Sequence, residues 1–274
     1  MPTENLDTAP LITIVTASLD VADTIGRMCE SIENQTTLNI EQKTLKTAPF
    51  EHVIIDGESV DQTVEIVTDY AKRMEERGIP VTVISESDNG IYDAMNKGVA
   101  CARGRYIGFL NADDAYTSEC IQTVLTLADE YHPDCIGGVS LIKSADGNYF
   151  RPVYPDMITA RYPQEMAVQH QSFFVKTDLI RSVGGFDTSF PIAADYDLFL
   201  TLIEKARREV SAGGLMQKWV LTDKPLAFFS LGGQSGDPIA AARDYYRVRI
   251  VHGWPKIYAR LLLLRNGFLG LINR

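Results

Sequence analysis

The chain has 274 residues, of which 45% are hydrophobic, so it can bury a sizeable core and is neither a disordered nor a fibrous protein. Its formal net charge of −10 argues against a general affinity for nucleic acid, which needs a basic surface. The four cysteines are widely spaced without a Cys-x-x-Cys pair, which argues against a zinc knuckle and a disulfide framework.

The first ten residues are polar and show no apolar stretch of the kind found in a secretory signal. We interpret residues 1–10 as an N-terminal tail. We therefore expect a cytoplasmic protein.

Residues 11–110 alternate short apolar runs with helical patterns, as βαβ units do. Strands are predicted at 11–17, 50–55, 81–85 and 106–110, and helices at 23–35 and 91–103. Ser59 and Gln62 form a candidate capping box for a further helix that runs towards Gly78. The predicted fold class is α/β, with a Rossmann-like, mostly parallel central sheet.

Acidic residues follow three of these strands, namely Asp56, Asp88 and the pair Asp113-Asp114. Ligands of open α/β sheets bind outside the carboxyl ends of the strands, so we expect the functional site there. Mg²⁺ or Mn²⁺ is often held by one or two carboxylates together with substrate phosphates, and Asp113 and Asp114 suit that role. A loop with a helix cap is the alternative interpretation of an isolated aspartate pair.

The second half of the chain has a less regular pattern. A helix is predicted at 118–131, and an apolar run at 135–142 leads to Asp146-Gly147, a typical hairpin turn. Proline residues and glycine pairs punctuate the remainder. A helix at 196–208 is its clearest element.

Four motifs occur in order between Ile54 and Leu198. They are Ile54 to Thr63 (IIDGESVDQT), Ser85 to Gly98 (SESDNGIYDAMNKG), Phe109 to Asp114 (FLNADD), and Gly185-Phe186-Asp187 with Ala194 to Leu198 (ADYDL). Together they resemble the motifs of family 2 glycosyltransferases, especially of bacterial enzymes that build colanic-acid-type and other exopolysaccharides. The resemblance implies the GT-A fold, with a nucleotide-sugar-binding half at 11–140 and an acceptor-binding half at 141–242.

Carried over position by position, the resemblance implies a set of site residues. The donor-binding residues would be Thr16, Ala17, Asp56, Asp88, Gly90, Asn96, Asn111 and Ala112. Asp113, with Asp114, would bind the metal ion. Asp195 would be the catalytic base that accepts the proton of the attacking hydroxyl, with Asp197 as its rival. His170, Gln171 and Gly233 would contact the acceptor or the donor phosphates, whereas Asp61 is interpreted as a helix-start residue.

The implied activity is non-processive, inverting transfer of a sugar from a nucleotide-diphosphate donor. The acceptor would be a saccharide or lipid-linked saccharide in cell-surface polysaccharide or glycolipid assembly. The Gln-x-x-Arg-Trp motif of processive synthases is missing, and Asn111 stands where many relatives have the first aspartate of the metal motif. A sugar-nucleotidyltransferase and a catalytically silent nucleotide-sugar-binding protein are the alternatives.

Residues 243–274 form a basic, apolar and helical C-terminal extension. They carry seven basic residues against one aspartate, a net charge of +6, which leaves −16 for residues 1–242. Aromatic and aliphatic residues interleaved with Lys256, Arg260 and Arg265 suit an anionic membrane surface, which would place the protein peripherally on the inner face of the cell membrane. A packed terminal helix or an oligomer contact is the alternative, and the oligomeric state stays open.

Overall fold

The computed structural model describes residues 10–36, 48–144, 147–151, 153–211, 218–230 and 238–272. The strands in these ranges are β1 Ile12–Ser18, β2 Phe50–Asp56, β3 Val81–Ser85, β4 Tyr106–Phe109, β5 Ala115–Tyr116, β6 Cys135–Ser144, β7 Gly147–Arg151, β8 Phe173–Lys176 and β9 Trp219–Phe229. The helices are α1 Ala22–Glu33, α2 Thr63–Glu76, α3 Ile91–Cys101, α4 Cys120–Tyr131, α5 Asp156–Thr159, α6 Thr177–Ser182, α7 Ala194–Ser211, α8 Pro238–Val251 and α9 Lys256–Ile272. A short 3-10 helix covers His170–Ser172.

The strands form one mixed sheet in the order β3-β2-β1-β4-β8-β6-β9-β5, with β7 paired to β6. The four strands from β3 to β4 are parallel, as predicted, because helical crossovers return each strand in the same direction. Beyond β4 the sheet is less parallel than predicted. β8 is antiparallel to β4 and β6, and β5 is antiparallel to β9.

The register of the parallel strands aligns their carboxyl ends at one edge. Ser18 of β1 lies opposite Asp56 of β2, and Asp56 lies opposite Ser85 of β3. The Leu110 N–H, directly after β4, donates to the Val15 carbonyl at 3.0 Å. The segments that follow these strands therefore meet at a common edge.

Buried side chains on the two faces of the sheet form two cores. In β1 they alternate, since Val15 and Ala17 join one core and Ile12 and Ile14 the other. Helices α3 and α7 cover the first face, and α1, α2 and α4 cover the second. A Cβ atom at Gly98 of α3 would lie 2.3 Å from Val15 Cγ1, so glycine lets this helix approach β1 closely.

The structure tests two predictions about the start of α2, namely the capping box of Ser59 and Gln62 and the role of Asp61. The capping box is wrong, because α2 begins at Thr63 and Ser59 instead donates its hydroxyl to Asp56 at 2.5 Å. Asp61 accepts N–H groups from Thr63 at 2.9 Å and Ala22 at 3.0 Å, at the starts of α2 and α1. This agrees with the interpretation of Asp61 as a helix-start residue.

The C-terminal helices pack against the body of the protein. Buried Asp244 of α8 accepts the N–H groups of Ile192 and Ala193 at 2.9 and 3.0 Å. The Arg249 guanidinium is buried, with its Cζ 5.6 Å from the ring centre of Tyr196. Helix α8 thereby supports the loop that precedes α7.

Candidate active site

A cleft of about 520 Å³ opens where the carboxyl ends of the parallel strands meet the second half of the chain. From the first half it is lined by Ala17, Ser18, Leu19, Val21, Thr24, Asp88, Gly90, Ile91, Tyr92, Ala94, Met95, Asn111, Ala112 and Asp113. From the second half it is lined by Gln169, His170, Pro191, Ile192, Asp195, Phe229, Ser230 and Tyr245. Eight of the predicted site residues therefore meet at one cleft.

Asp113, one of the two predicted metal ligands, lies in the cleft wall just after β4. Its main-chain carbonyl accepts hydrogen bonds from the Arg27 guanidinium and from Ser230 Oγ, the latter at 2.6 Å. Its carboxylate accepts no hydrogen bond from any described residue. Both carboxylate oxygens can therefore serve a ligand in the cleft.

Asp114, the second predicted metal ligand, is buried and does not line the cleft. Its Oδ1 accepts the Ser230 N–H at 2.8 Å, and its Oδ2 accepts Gln171 Nε2 at 2.8 Å. Burial raises the pKa of this carboxyl from 3.8 to about 6. Contrary to the prediction, the carboxylate ties the loop after β4 to the 3-10 helix and to the end of β9. Gln171 likewise contacts Asp114 and not the cleft.

Asp195, the predicted base, lies at the start of α7 with its carboxylate in the cleft. Its Oδ1 accepts the Tyr196 N–H at 2.8 Å and faces the Tyr92 hydroxyl at 3.4 Å, while its Oδ2 lies 3.3 Å from His170 Nδ1. An acidic side chain in the first turn is also favoured by the helix dipole. The carboxylate is thus held in one orientation while it remains accessible from the cleft.

Asp197, the rival candidate, points away from the cleft. Its Oδ1 lies 2.9 Å from Nε2 of His252, a residue just beyond α8 whose Nδ1 lies 2.7 Å from Glu204. This contact joins α7 to the end of α8. The two aspartates, two residues apart on one helix, therefore face different surroundings.

His170 connects the two halves of the cleft. Besides its contact with Asp195, its Nε2 lies 3.2 Å from Asn111 Nδ2. Burial lowers the pKa of His170, but the hydrogen bond to Asp195 and the charges of Asp195, Asp114 and Asp113 outweigh burial and raise the pKa above 6.5. A protonated ring donates from both nitrogens. Asn111 Oδ1 has no hydrogen-bond partner among the described residues, and a 180° rotation of the Asn111 amide would offer this oxygen to Nε2 as an acceptor.

Thr16 does not reach the cleft, although it was predicted to bind the donor. It is buried on the opposite side of β1 from Ala17, where its hydroxyl donates to the Leu110 carbonyl at 2.8 Å and lies 3.0 Å from His52 Nε2. Successive residues of a strand face opposite sides of the sheet, so only one of Thr16 and Ala17 can line the cleft.

Asp56 is also buried, contrary to its predicted role in binding the base or ribose. Its carboxylate accepts hydroxyl hydrogen bonds from Ser59 at 2.5 Å, Ser85 at 2.7 Å and Ser18 at 3.3 Å, and the Ser59 N–H at 3.0 Å. These contacts bind together the ends of three parallel strands. The Asp56 carboxylate therefore stabilises the edge of the sheet at which the cleft opens.

Asn96 is the third predicted donor-binding residue that lies outside the cleft. Its Nδ2 donates to the Phe186 carbonyl and its Oδ1 accepts the Phe186 N–H, both at 2.8 Å. The φ of Gly185 is 75°, and a Cβ there would lie 2.4 Å from Asn96 Oδ1, so this turn requires glycine. The two hydrogen bonds from Asn96 fix the backbone of Phe186, whose ring centre lies 5.3 Å from that of Tyr92.

The other predicted donor-binding residues, Ala17, Asp88, Gly90, Asn111 and Ala112, line the cleft. Asp88 lines the cleft and accepts the Gly90 N–H at 2.8 Å, and Gly90 has a φ of 110°. A Cβ at Gly57 would lie 2.7 Å from Asp88 Oδ2, so glycine allows the loops after β2 and β3 to touch. Gly233 lies outside the described residues.

Sequence reasoning missed two polar contributors. Tyr92 donates to the Ile192 carbonyl at 2.9 Å and contacts Asp195, so it joins α3 to the side of the cleft that contains Asp195. Ser230 fastens the loop of Asp113 through its hydroxyl and its N–H. Tyr92 lies within the second motif and could have been singled out there, whereas no sequence pattern marks Ser230.

Comparison with known proteins decides the family. The sequence model of "Glycosyl transferase family 2" matches residues 13–188, which is well over half of the chain and includes three of the four motifs. The chain belongs to glycosyl transferase family 2.

Curated relatives of this glycosyltransferase include enzymes of similar length. A PGL/p-HBAD biosynthesis glycosyltransferase of Mycobacterium bovis is 26% identical over 272 residues, which cover 94% of this chain and 96% of the relative. An uncharacterised glycosyltransferase of Mycobacterium tuberculosis is 27% identical over 197 residues, 71% of this chain and 70% of the relative. EpsJ of Bacillus subtilis, also uncharacterised, is 29% identical over 143 residues, 52% of this chain and 38% of the relative.

Solved structures show that this glycosyltransferase has the predicted GT-A α/β fold. The mannosyltransferase PcManGT from Pyrobaculum calidifontis, in complex with GDP-Man and Mn²⁺, aligns with a TM-score of 0.64 at 16% identity over 97% of this chain and 75% of that chain. TarS 1–349 from S. aureus, in complex with UDP, aligns with a TM-score of 0.60 at 16% identity over 92% and 69%. None of the helices in the described ranges has the length and hydropathy needed to cross a bilayer.

Proposed function

We propose that this glycosyltransferase is metal-dependent, inverting and non-processive. It would transfer a hexosyl unit from a nucleotide-diphosphate donor to an acceptor hydroxyl in cell-surface polysaccharide or glycolipid assembly. The observation that carries the proposal is that Asp113 and Asp195 line one cleft, in which His170 contacts both Asp195 and Asn111.

The strand-end wall of the cleft suits the donor. Ala17, Asp88, Gly90 and Ala112 line it beside Asp113, at the edge where open α/β sheets bind nucleotides. The solved relatives whose complexes contain UDP or GDP-Man support a nucleotide-sugar donor. Further support comes from the volume of about 520 Å³, which lies in the range of small-molecule pockets.

A divalent cation fits Asp113. The described residues contain no group of three or more His, Cys, Asp or Glu side chains that could hold a metal by itself. One carboxylate with free oxygens is nevertheless enough when donor phosphates supply further ligands, as is usual for Mg²⁺. The ion, Mn²⁺ or Mg²⁺, would neutralise charge on the departing nucleoside diphosphate.

Asp195 would accept the proton of the acceptor hydroxyl. Tyr92 and the Tyr196 N–H fix its Oδ1, and the cleft leaves the carboxylate accessible to an incoming alcohol. His170 would contact the acceptor or the donor phosphates from the same wall. A single displacement assisted by one base inverts the anomeric centre, which is the course that the family resemblance implies.

The acceptor and the number of sugars added rest on other grounds. The proposed acceptor, a saccharide or lipid-linked saccharide, is the one that the resemblance of the four motifs to exopolysaccharide enzymes implies. The missing Gln-x-x-Arg-Trp motif supports one transfer for each encounter.

A donor screen tests the proposal. UDP-, GDP- and dTDP-sugars are added with Mn²⁺, and thermal stability and release of the nucleoside diphosphate are measured. A ligand at a hundred times its Kd stabilises the folded state by about 2.7 kcal/mol, so the matching donor should raise the Tm by several degrees. A chelator or Asp113→Asn should abolish this response, whereas exposed Asp69→Asn should leave it intact.

Two results would contradict the proposal. A donor response that survives both the chelator and Asp113→Asn removes the metal assignment. Absence of any response to the whole panel removes the nucleotide-sugar donor.

A further inference from the structure

Helix α9 exposes a row of large apolar side chains. Ile257, Leu261 and Leu264 are 77%, 59% and 69% exposed, and their spacing of four and three residues places them on one face of the helix. The other face is packed, since Ala259 and Leu262 are buried with the aromatic side chains around them. The exposed row, Ile257, Leu261 and Leu264, is not covered by any described part of the chain.

Basic side chains lie beside the exposed row. Lys256 and Arg260 are exposed and form no ion pair with a described residue. Together with Arg247 they line a surface groove of about 470 Å³, whose lining also includes Asp187. Arg247 is paired with Asp244 at 2.9 Å, so among the described residues that line the groove Lys256 and Arg260 are the cations without an ion pair.

The C-terminal segment that carries this surface is basic, whereas the rest of the chain is acidic. Residues 243–274 carry a net charge of +6, whereas residues 1–242 carry −16. Contact with a second copy through a two-fold axis would place the same basic patch against itself, which is unfavourable. An anionic bilayer offers negative headgroups to the cations and an apolar interior to the exposed row.

The groove and the cleft share a loop. Ser189 and Phe190 line the groove, and Pro191 and Ile192, the next two residues, line the cleft. A bilayer on this surface would therefore lie close to the half of the cleft that contains Asp195.

We propose that the outer face of α9 docks onto the surface of an anionic membrane. Ile257, Leu261 and Leu264 enter the boundary between headgroups and acyl chains, and Lys256 and Arg260 contact the lipid phosphates. The proposal concerns location and does not rest on the transfer reaction. Each basic side chain near an anionic surface contributes about fivefold to the partition constant, so loss of both should weaken binding about 25-fold.

Vesicle flotation of the full chain tests the docking surface. Vesicles of phosphatidylcholine alone are compared with vesicles of phosphatidylcholine and phosphatidylglycerol. One variant combines Ile257→Ser, Leu261→Ser and Leu264→Ser, and another combines Lys256→Gln with Arg260→Gln. These side chains are exposed, and circular dichroism with thermal unfolding checks that each variant is folded.

A matched control removes the same charge elsewhere. Lys72→Gln with Arg208→Gln changes two exposed basic residues on α2 and α7. We expect the wild type and this control to float with the anionic vesicles, less so at high salt. The variant without Lys256 and Arg260 should bind about 25-fold more weakly, and the variant of the apolar row should lose binding. The proposal is overturned if the wild type does not float with anionic vesicles or if the α9 variants float as well as the control. It is also overturned if light scattering shows a dimer that the apolar-row variant dissociates.

Discussion

Replacement of Asp195 by asparagine tests the proposed role as proton acceptor, because it removes the carboxylate while it preserves the shape of the side chain. Asparagine retains an Oδ1 that can accept the Tyr196 N–H at 2.8 Å, so the side chain should keep its place at the start of α7. The change removes the negative charge that lies 3.3 Å from His170 Nδ1, together with the basicity on which the proposed proton transfer depends. Transfer should therefore fall while the donor still binds.

The expected loss follows from the role assigned to the carboxylate. A positioned general base contributes about 10²–10⁴-fold to the rate, which corresponds to about 2.7–5.5 kcal/mol of transition-state stabilisation. We expect kcat for transfer to fall by that factor, because the proposed base would act on the acceptor and not on the nucleotide. The KM for the donor should change by less than about threefold.

Asp197→Asn is the matched control on the same helix. Asp197 points away from the cleft and lies 2.9 Å from His252 Nε2, so its replacement should reduce stability by about 1–3 kcal/mol and leave transfer nearly unchanged. The assay measures nucleoside diphosphate release at saturating donor and acceptor, with donor binding followed by thermal shift. The assignment of the base is refuted if Asp195→Asn transfers within about threefold of the wild type or if folded Asp197→Asn loses as much activity.

Three further changes test the contacts that build the site. Asn96→Ala removes two 2.8 Å hydrogen bonds to Phe186 and should lower the unfolding free energy in urea by about 1–3 kcal/mol. Gly98→Ala places a methyl group 2.3 Å from Val15 Cγ1, and we expect a loss of about 1–3 kcal/mol by the same measurement. Burial lowers the pKa of His252, but hydrogen bonds to its two carboxylate partners raise it above 6.5, so its stabilising contribution is complete below pH 6.5 and disappears as the pH rises through the folded-state pKa. His252→Gln should therefore destabilise more at about pH 6 than at about pH 9, and equal losses would contradict this coupling.

The first half of the fold could be predicted because its order is local. The apolar runs of β1 to β4 alternate with helical patterns, and a helical crossover fixes the parallel direction of the next strand. The direction of β8 depends on a long connection after β4, for which the sequence gives no regular period. The mixed outer part of the sheet was therefore not predictable from the pattern.

Asp88 and Asp113 follow strand ends in the sequence and line the cleft in the structure, because the ends of parallel strands meet at one edge. Thr16 shows the limit of that reasoning, since adjacent residues of a strand face opposite sides and the sequence does not reveal which side is the cleft. Asn96 shows another limit. Its partner Phe186 is 90 residues away, and only the folded structure reveals this contact.

The central claim is that a nucleotide sugar lies in the cleft between the carboxylates of Asp113 and Asp195. A crystal structure of the enzyme with Mn²⁺ and the donor selected by the screen tests it most directly. We predict that the ion lies on the Asp113 carboxylate with the diphosphate, and that the anomeric carbon faces Asp195 across space for an acceptor hydroxyl. A donor bound outside this cleft, or an anomeric carbon shielded from Asp195, would contradict the account.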